Sequence, residues 1–247
     1  MATSTPAIRS RDRDGAVGEM ARFIRIVAHD LRAPVTVTRT MLSVLAQGYA
    51  GPLGPPQADL VGRVERRLEF LQTLIDDLLD LASAQVRLED DVERRCRGSA
   101  LDDRVSSACA RIEAAARETR TALHCGTCPE PVVVAAEPDE LDLVLDNLLS
   151  NAVKYAPGGE VRVSVARSDD VGRLVVADDG IGIPEGAHPR LFEGFFRAAN
   201  AKAIEPQGTG LGLAIVKAVV DRRGGTIDVE STEGEGTTVT LRLPLGV

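Results

Sequence analysis

The sequence has no tryptophan, and aromatic residues make up 3% of its 247 positions. That argues against stacking platforms for nucleobases. Positive charge is not in excess either. Lys plus Arg is 29 against 37 Asp plus Glu, a formal charge of -8, so a broad basic nucleic-acid surface is not expected. No run approaches the roughly 18 apolar residues of a membrane span, and the opening MATSTPAIRSRDRDG lacks the apolar centre of a signal peptide. These absences predict a cytoplasmic chain without a nucleic-acid or membrane partner, and leave room for its being the cytoplasmic part of something longer. Cysteine is scarce. Cys96, Cys109, Cys125 and Cys128 are too few for a disulfide scaffold. HCGTC, with His124, Cys125 and Cys128, is half of a conceivable metal site, but the spacing to Cys96 and Cys109 fits no zinc pattern. Ordinary reduced cysteines are the expectation, with any redox or metal role left open.

What is present falls into two modules, a number the length allows. Residues 1–18 are polar and predict a disordered tail. An amphipathic helix follows from about Glu19 to Gln47, then the Gly/Pro-rich turn GYAGPLGPPQ. Val61, Val64, Leu68, Leu71, Ile75, Leu78 and Ala82 alternate steps of three and four, a heptad seam. Two long helices with a short connection pair antiparallel. The apolar flanks Leu74, Leu79 and Leu81 exceed what one hairpin can bury, which points to a homodimeric four-helix bundle; docking of the hairpin on its own C-terminal domain is the alternative. After the charged stretch VRLEDDVERRCRG the pattern mixes helices (Leu101–Thr119, Asp139–Tyr155, Leu211–Arg223) with strands (PVVVAA, VRVSV, RLVVAD, GTIDVES, TTVTLRLP). The fold class is α+β: a helical hairpin over residues 19–92, then an α/β sandwich over 93–247.

FIRIVAHDLRAPVTV places Ile24, Val27 and Leu31 on one predicted buried stripe, with His29 roughly opposite and facing water. Pro34 has no N–H for the carbonyl of Asp30, so a bend is expected there. In the helix DELDLVLDNLLSNAVKYAP, Leu141, Leu145, Leu148 and Ala152 form the inner face. Asn147, Asn151 and Lys154 cluster within about 60° on the other. Neutral oxygens and a cation on one exposed face suit a metal-bound polyphosphate. VVADDGIGIP ends a strand at Asp178, whose carboxylate can accept an adenine amine, and Gly180 and Gly182 let a base approach the backbone. QGTGLGLAIVK sets Gly208, Gly210 and Gly212 before a helix, an N–H-rich phosphate cradle. It is neither a Walker loop nor a Rossmann turn.

In this order the motifs resemble the catalytic core of a sensor histidine kinase, whose ATPase domain is of the type shared with Hsp90 and gyrase. AHDLRAPVT is similar to the H box, NLLSNAVKYAP to the N box, DDGIGIP to G1, LFEGFFRA to the F box and GTGLGLAIV to G2. The resemblance implies an ATP-dependent kinase with Mg²⁺ as cofactor, autophosphorylating His29 and passing the phosphoryl group to a response-regulator receiver domain. It implies Asp30 and Arg197 beside His29 in catalysis, and Asn147 as the metal ligand. Asn151 and Lys154 would lie on the phosphate side, Tyr155 beside adenine, and Asp178, Gly180 and Gly182 in the base pocket. Gly208, Thr209, Gly210, Leu211 and Gly212 would hold phosphates. Phe192 and Phe195 would anchor a mobile lid over about 198–207, a segment without periodicity. An ATP-binding scaffold that signals without chemistry, and an ATPase clamp, are the competing readings; intact His29, Asn147, Asp178 and the three glycines weigh against the first, the H box against the second.

The chain departs from that family at one place. Many members carry Thr or Asn four residues after the phosphorylated histidine, where it can hold a water for dephosphorylating the partner. Here the residue is Ala33, with no donor or acceptor. Weak phosphatase activity is expected.

Overall fold

The computed structural model describes the backbone of residues 7–85, 98–126, 128 and 130–246, and the side chains of these except 7–21 and 25. The charged linker expected between the modules, with Cys96, lies largely outside the described residues. The chain divides into two compact units that meet in sequence near residue 87. Among the described residues no helix is long and apolar enough to cross a membrane.

The first unit is a pair of helices, α1 (Ala7–Ala46) and α2 (Pro55–Gln85). Gly48 and Gly51 adopt left-handed φ values of 79° and 103° in the connection, and Pro55 opens α2, where a missing N–H costs no helical hydrogen bond. The Gln57 side chain accepts the Gly54 N–H at 2.8 Å, which caps the entry. The two helices are joined by an Arg32–Asp76 ion pair and a 3.0 Å hydrogen bond from Arg39 to the Gln72 side chain.

Three sequence expectations change here. Residues 7–18, expected as a disordered tail, are helical and belong to α1. Polarity shows that a segment has little to bury, but a helix already nucleated propagates on backbone hydrogen bonds alone. Second, the buried line of α1 runs through Ala28 and Val35, packed with Ile75, Leu68 and Leu79. Val27 and Leu31 stay 37% and 47% exposed. Facing helices approach where side chains are small, so Ala28 takes the contact and its larger neighbours flank it. Third, the heptad seam is divided. Ile75 and Ala82 are buried, Val61, Leu68 and Leu78 half-buried, and Val64 and Leu71 exposed. α1 runs without interruption through Pro34.

The second unit begins with the short strand β1 (Ser99–Ala100) and the helix α3 (Leu101–Thr119). There follow β2 (Ala122–Gly126), β3 (Val133–Val134), α4 (Pro138–Tyr155), β4 (Glu160–Ser168) and β5 (Val171–Asp178). A 3₁₀ turn at Glu185–Arg190 leads to α5 (Ala199–Ile204), α6 (Gly212–Arg222), β6 (Thr226–Thr232) and β7 (Gly236–Pro244). Five strands form one sheet in the order β2-β4-β5-β7-β6. β2 runs parallel to β4 and every other pairing is antiparallel. β4 alternates from Glu160 to Ala166, and β5 from Val171 to Ala177, between buried and more exposed residues, the signature of a sheet covered on one face. Val161, Val163, Leu174, Val176 and Leu241 of that inner face are nearly inaccessible.

α4 meets the sheet with the predicted face: Leu141, Leu145, Leu148 and Ala152 are all buried. Its start is well specified. Pro138 occupies the first turn, Glu137 caps it, and the Glu140 side chain returns to the Glu137 N–H at 2.9 Å. Burial pushes the Glu140 carboxyl up, but bonds from Arg223 (2.6 Å) and the Glu137 N–H, with the charge of Arg222, hold it below its ordinary value. This buried ion cluster ties the start of α4 to the end of α6.

A disulfide joins Cys109 of α3 to Cys125 of β2, correcting the expectation that the cysteines are all reduced. The pairing is tertiary: sixteen residues separate the two, and no spacing rule connects a helical cysteine to one on an edge strand. Closing a loop of that length removes about 3 kcal/mol of chain entropy from the unfolded state. Cys128 is a free thiol. Among the described residues no cluster of His, Cys, Asp or Glu could hold a metal ion.

Candidate functional site

His29 stands on α1 with its side chain 84% exposed, as the wheel predicted. Its Nδ1 lies 3.4 Å from Oδ1 of Asp30. A carboxylate there favours a proton on Nδ1 and leaves Nε2 with its lone pair facing solvent. Ala33 follows one turn on, also exposed.

The second unit gathers Asn147, Asn151, Lys154, Tyr155, Asp178, Gly180 and Gly182 around α4 and its end. Asn147, Asn151, Lys154 and Tyr155 are half-buried on that helix. Nδ2 of Asn147 donates to the Leu143 carbonyl at 2.8 Å, which fixes the amide and turns Oδ1 away from its own helix. Oδ1 is directed at the first turn of α6. A Cβ added to Gly212 would sit 2.7 Å from it, and 3.6 Å from Nδ2 of Asn151. A side chain there would press on the Asn147 amide, so glycine lets the helix start and the amide face come together. Lys154 makes no ion pair among the described residues. A neutral oxygen, an amide, an ammonium and a helix N-terminus thus border one region, a donor set suited to a phosphate chain and a hard cation.

Asp178 ends β5. Burial pushes its carboxyl up to about 6, against hydrogen bonds from the N–H groups of Gly180 (3.0 Å) and Thr237, while the charge of Asp179 adds to the rise. The loop beyond is sewn to the end of α4 by the Ile181 N–H donating to the Tyr155 carbonyl at 3.0 Å. Any side chain at Gly180 would collide with that same carbonyl. Gly182 is buried with φ 58°. A half-buried carboxylate against glycine backbone is a fitting acceptor for one exocyclic amine.

The phenylalanines behave differently from the expectation. Phe195, expected to anchor a lid with Phe192, is 60% exposed and has a left-handed φ of 66°. Phe196 is the half-buried ring, and the Arg190 guanidinium lies 4.3 Å from its centroid. The Phe195 N–H donates to the Gly210 carbonyl at 3.0 Å; that bond turns the backbone so that consecutive rings exchange places. Phe192 is half-buried.

The segment without periodicity contains the short helix α5. Arg197 donates to the carbonyls of Ala201 (3.2 Å), Glu205 and Pro206 (3.3 Å), at the C-terminal end of α5. Asn200, which the sequence reading passed over, donates to the Gly182 carbonyl at 2.9 Å and fastens α5 to the Asp178 loop. An asparagine early in a short helix was its only signal. Gly208, Thr209, Gly210 and Leu211 lead into α6, and Leu211 is fully buried.

Comparison with known proteins identifies both modules. Residues 19–86 match the His Kinase A (phospho-acceptor) domain, and residues 136–247 match the histidine kinase-, DNA gyrase B- and HSP90-like ATPase. The circadian input-output histidine kinase CikA of Synechococcus elongatus is 34% identical over 90% of this chain, which spans 29% of that protein. The sensor histidine kinase WalK of Bacillus subtilis is 33% identical over 92% of this chain and 37% of its own length. The chain thus spans well under half of these curated relatives. Among solved structures, the mycobacterial sensor histidine kinase MprB superposes with a TM-score of 0.52 and 29% identity, over 61% of this chain and 99% of that one. Full-length ShkA, in complex with AMPPNP, shares the fold at a TM-score of 0.70 and 22% identity, covering 92% of this chain and 46% of that chain. With a phosphoacceptor hairpin followed by a histidine-kinase-type ATPase domain, the chain belongs to the sensor histidine kinase family.

Proposed function

We propose that the chain autophosphorylates His29 from ATP and passes the phosphoryl group to an aspartate on a response-regulator receiver domain. The observation that carries this reading is a solvent-facing imidazole with Asp30 at Nδ1, in a chain that also presents Asn147 to the glycine-bounded start of α6. Asn147 would hold Mg²⁺, which when bound neutralises triphosphate charge. Asn151, Lys154 and the backbone from Gly208 through Thr209, Gly210 and Leu211 to Gly212 bind the phosphates. Asp178 accepts the adenine amine between Tyr155, Gly180 and Gly182. Arg197 exchanges the α5 carbonyls for the terminal phosphate. At His29, Nε2 forms the P–N bond as the bond to the bridging oxygen breaks, ADP leaves with that oxygen, and the Nδ1 proton moves toward Asp30. Incubation with γ-labelled ATP gives label that is lost in acid and maps to His29; acid-stable label, or none, overturns the reading.

Asp178 makes base recognition pH-dependent. The ionised carboxylate is a pure acceptor, and a proton converts one oxygen into a donor facing the amine. With the carboxyl held at about 6, affinity for adenosine falls as pH drops through that value, about tenfold by roughly pH 5. Calorimetry of the native chain and Asp178→Asn checks this. A native profile flat between about pH 5 and 7 would remove Asp178 from the base site.

The exposed apolar residues Val27, Leu31, Val64 and Leu71 are the face on which a second copy of the hairpin completes a four-helix bundle. Leu71→Glu buries an unpaired charge from each copy, at a cost of about 3–5 kcal/mol apiece. Light scattering then shows monomers at concentrations where the native chain is dimeric.

Phosphatase activity toward the phosphorylated regulator is weak, because Ala33 can orient no water. Thr36 is a poor substitute: it lies three residues beyond Ala33, roughly 300° around the helix, and its hydroxyl proton is committed to the Arg32 carbonyl at 2.9 Å. With ADP present, the native chain leaves decay of the phosphorylated regulator unchanged, whereas Ala33→Thr accelerates it about tenfold. Strong acceleration by the native chain sinks the proposal.

A further inference from the structure

The Cys109–Cys125 bond serves no part of the chemistry above, yet it sits where it can influence that chemistry. Cys125 is solvent-exposed on β2, the edge strand of the sheet, and Cys109 is buried on α3. β2 pairs with β4 on one side only, and the disulfide adds a second link to α3 beyond the short chain connection through Arg120 and Thr121. α3 is in turn ion-paired to α4: Arg104 reaches Asp142 at 3.2 Å, and Arg111 reaches Asp142 at 3.2 Å and Asp146 at 2.8 Å. Asp146 is the neighbour of Asn147 in the chain. Cys125 is an exposed residue, and exposed disulfides are the ones exchangeable with an external thiolate.

We infer that Cys109 and Cys125 form a thiol–disulfide switch on the ATPase domain, opened and closed by a low-molecular-weight thiol–disulfide couple of the glutathione type. In closing, the Cys125 thiolate attacks one sulfur of the oxidised couple, forming a mixed disulfide and releasing one small thiol. The Cys109 thiolate then attacks Cys125 Sγ and releases the second. Two protein thiols lose two protons and two electrons, and one small disulfide becomes two small thiols. Opening is the reverse, begun by a small thiolate at Cys125 Sγ. The closed form holds β2 on α3 and so steadies the helix that braces α4. Its effect on nucleotide affinity rests on the ATP-binding reading above; the switch itself does not.

The test equilibrates the full chain in buffers of graded reduced-to-oxidised glutathione ratio, quenches with acid, and maps cysteines by mass spectrometry. The expected result is a Cys109–Cys125 linkage that appears and disappears reversibly with the ratio, while Cys128 stays alkylatable throughout. The closed form melts about 6–12 °C above the open one and binds ADP on the order of fivefold more tightly. Cys109→Ala and Cys125→Ser each remove both differences, and Cys128→Ser keeps them. The proposal is overturned if the native chain shows no linkage at any ratio, if reduced glutathione fails to open it in the folded protein, or if both forms melt alike. ADP binding to neither form, with the linkage and melting as expected, would refute the nucleotide reading and leave the switch standing.

Discussion

His29→Gln is expected to reduce acid-labile phosphorylation by at least about 10³-fold while leaving ADP affinity unchanged. Glutamine approximates the reach of the imidazole, but its amide offers no nitrogen lone pair able to attack phosphorus. The substitution is also structurally mild. His29 is almost fully exposed and pairs with the neighbouring Asp30, so no core contact is lost and the melting temperature stays within error. Activity that fell together with ADP affinity would indicate damage to the ATPase domain, and persistent acid-labile label would place the nucleophile elsewhere. Asp30→Asn offers a graded companion: Nδ1 loses its charged partner, and the rate falls without vanishing.

Asn147→Asp should lower the phosphorylation rate about 10²-fold at saturating ATP. Two physical changes act together. Nδ2 of Asn147 donates to the Leu143 carbonyl at 2.8 Å; aspartate has no such donor, so its second oxygen is repelled and the side chain rotates. The added charge also lies beside Asp146 and faces the phosphates that Asn147 is proposed to serve, where only the cation offsets it. The Mg²⁺ dependence of the rate should therefore shift, and this distinguishes a ligand from a packing residue. Gly212→Ala should give a weaker version of the same phenotype, because its Cβ would stand 2.7 Å from Oδ1 of Asn147. A rate and Mg²⁺ profile unchanged in Asn147→Asp would remove that residue from the metal site.

Much of the ATPase domain was legible because its elements are locally consistent. α3 was expected over Leu101–Thr119 and spans those residues. A 3.6-residue period picked out Leu141, Leu145, Leu148 and Ala152 on the inner face of α4, though Val144, Leu149 and Val153 are buried with them. A period of two marked β4 and β5, but β2 was not among the expected strands and PVVVAA forms a strand only at Val133–Val134. Legibility failed where a local pattern admits several partners. α1 has more apolar surface than one neighbour can cover, so periodicity alone could not choose between Val27 and Ala28 as the contact. The F box shows the same ambiguity, since consecutive phenylalanines cannot be ranked until the backbone at Phe195 adopts its left-handed turn.

By itself the sequence determined the family, the order of the modules, the exposure of His29 and the inner face of α4. Each of these is written in residues a few positions apart, where chain geometry leaves little choice. Only the tertiary structure decided which line of α1 is buried, that Gly212 is empty so that Asn147 can approach, and that Asn200 and Arg197 fasten α5. Only it joined Cys109 to Cys125. Those are meetings between residues distant in the chain, and they depend on how the sheet and helices close around one another.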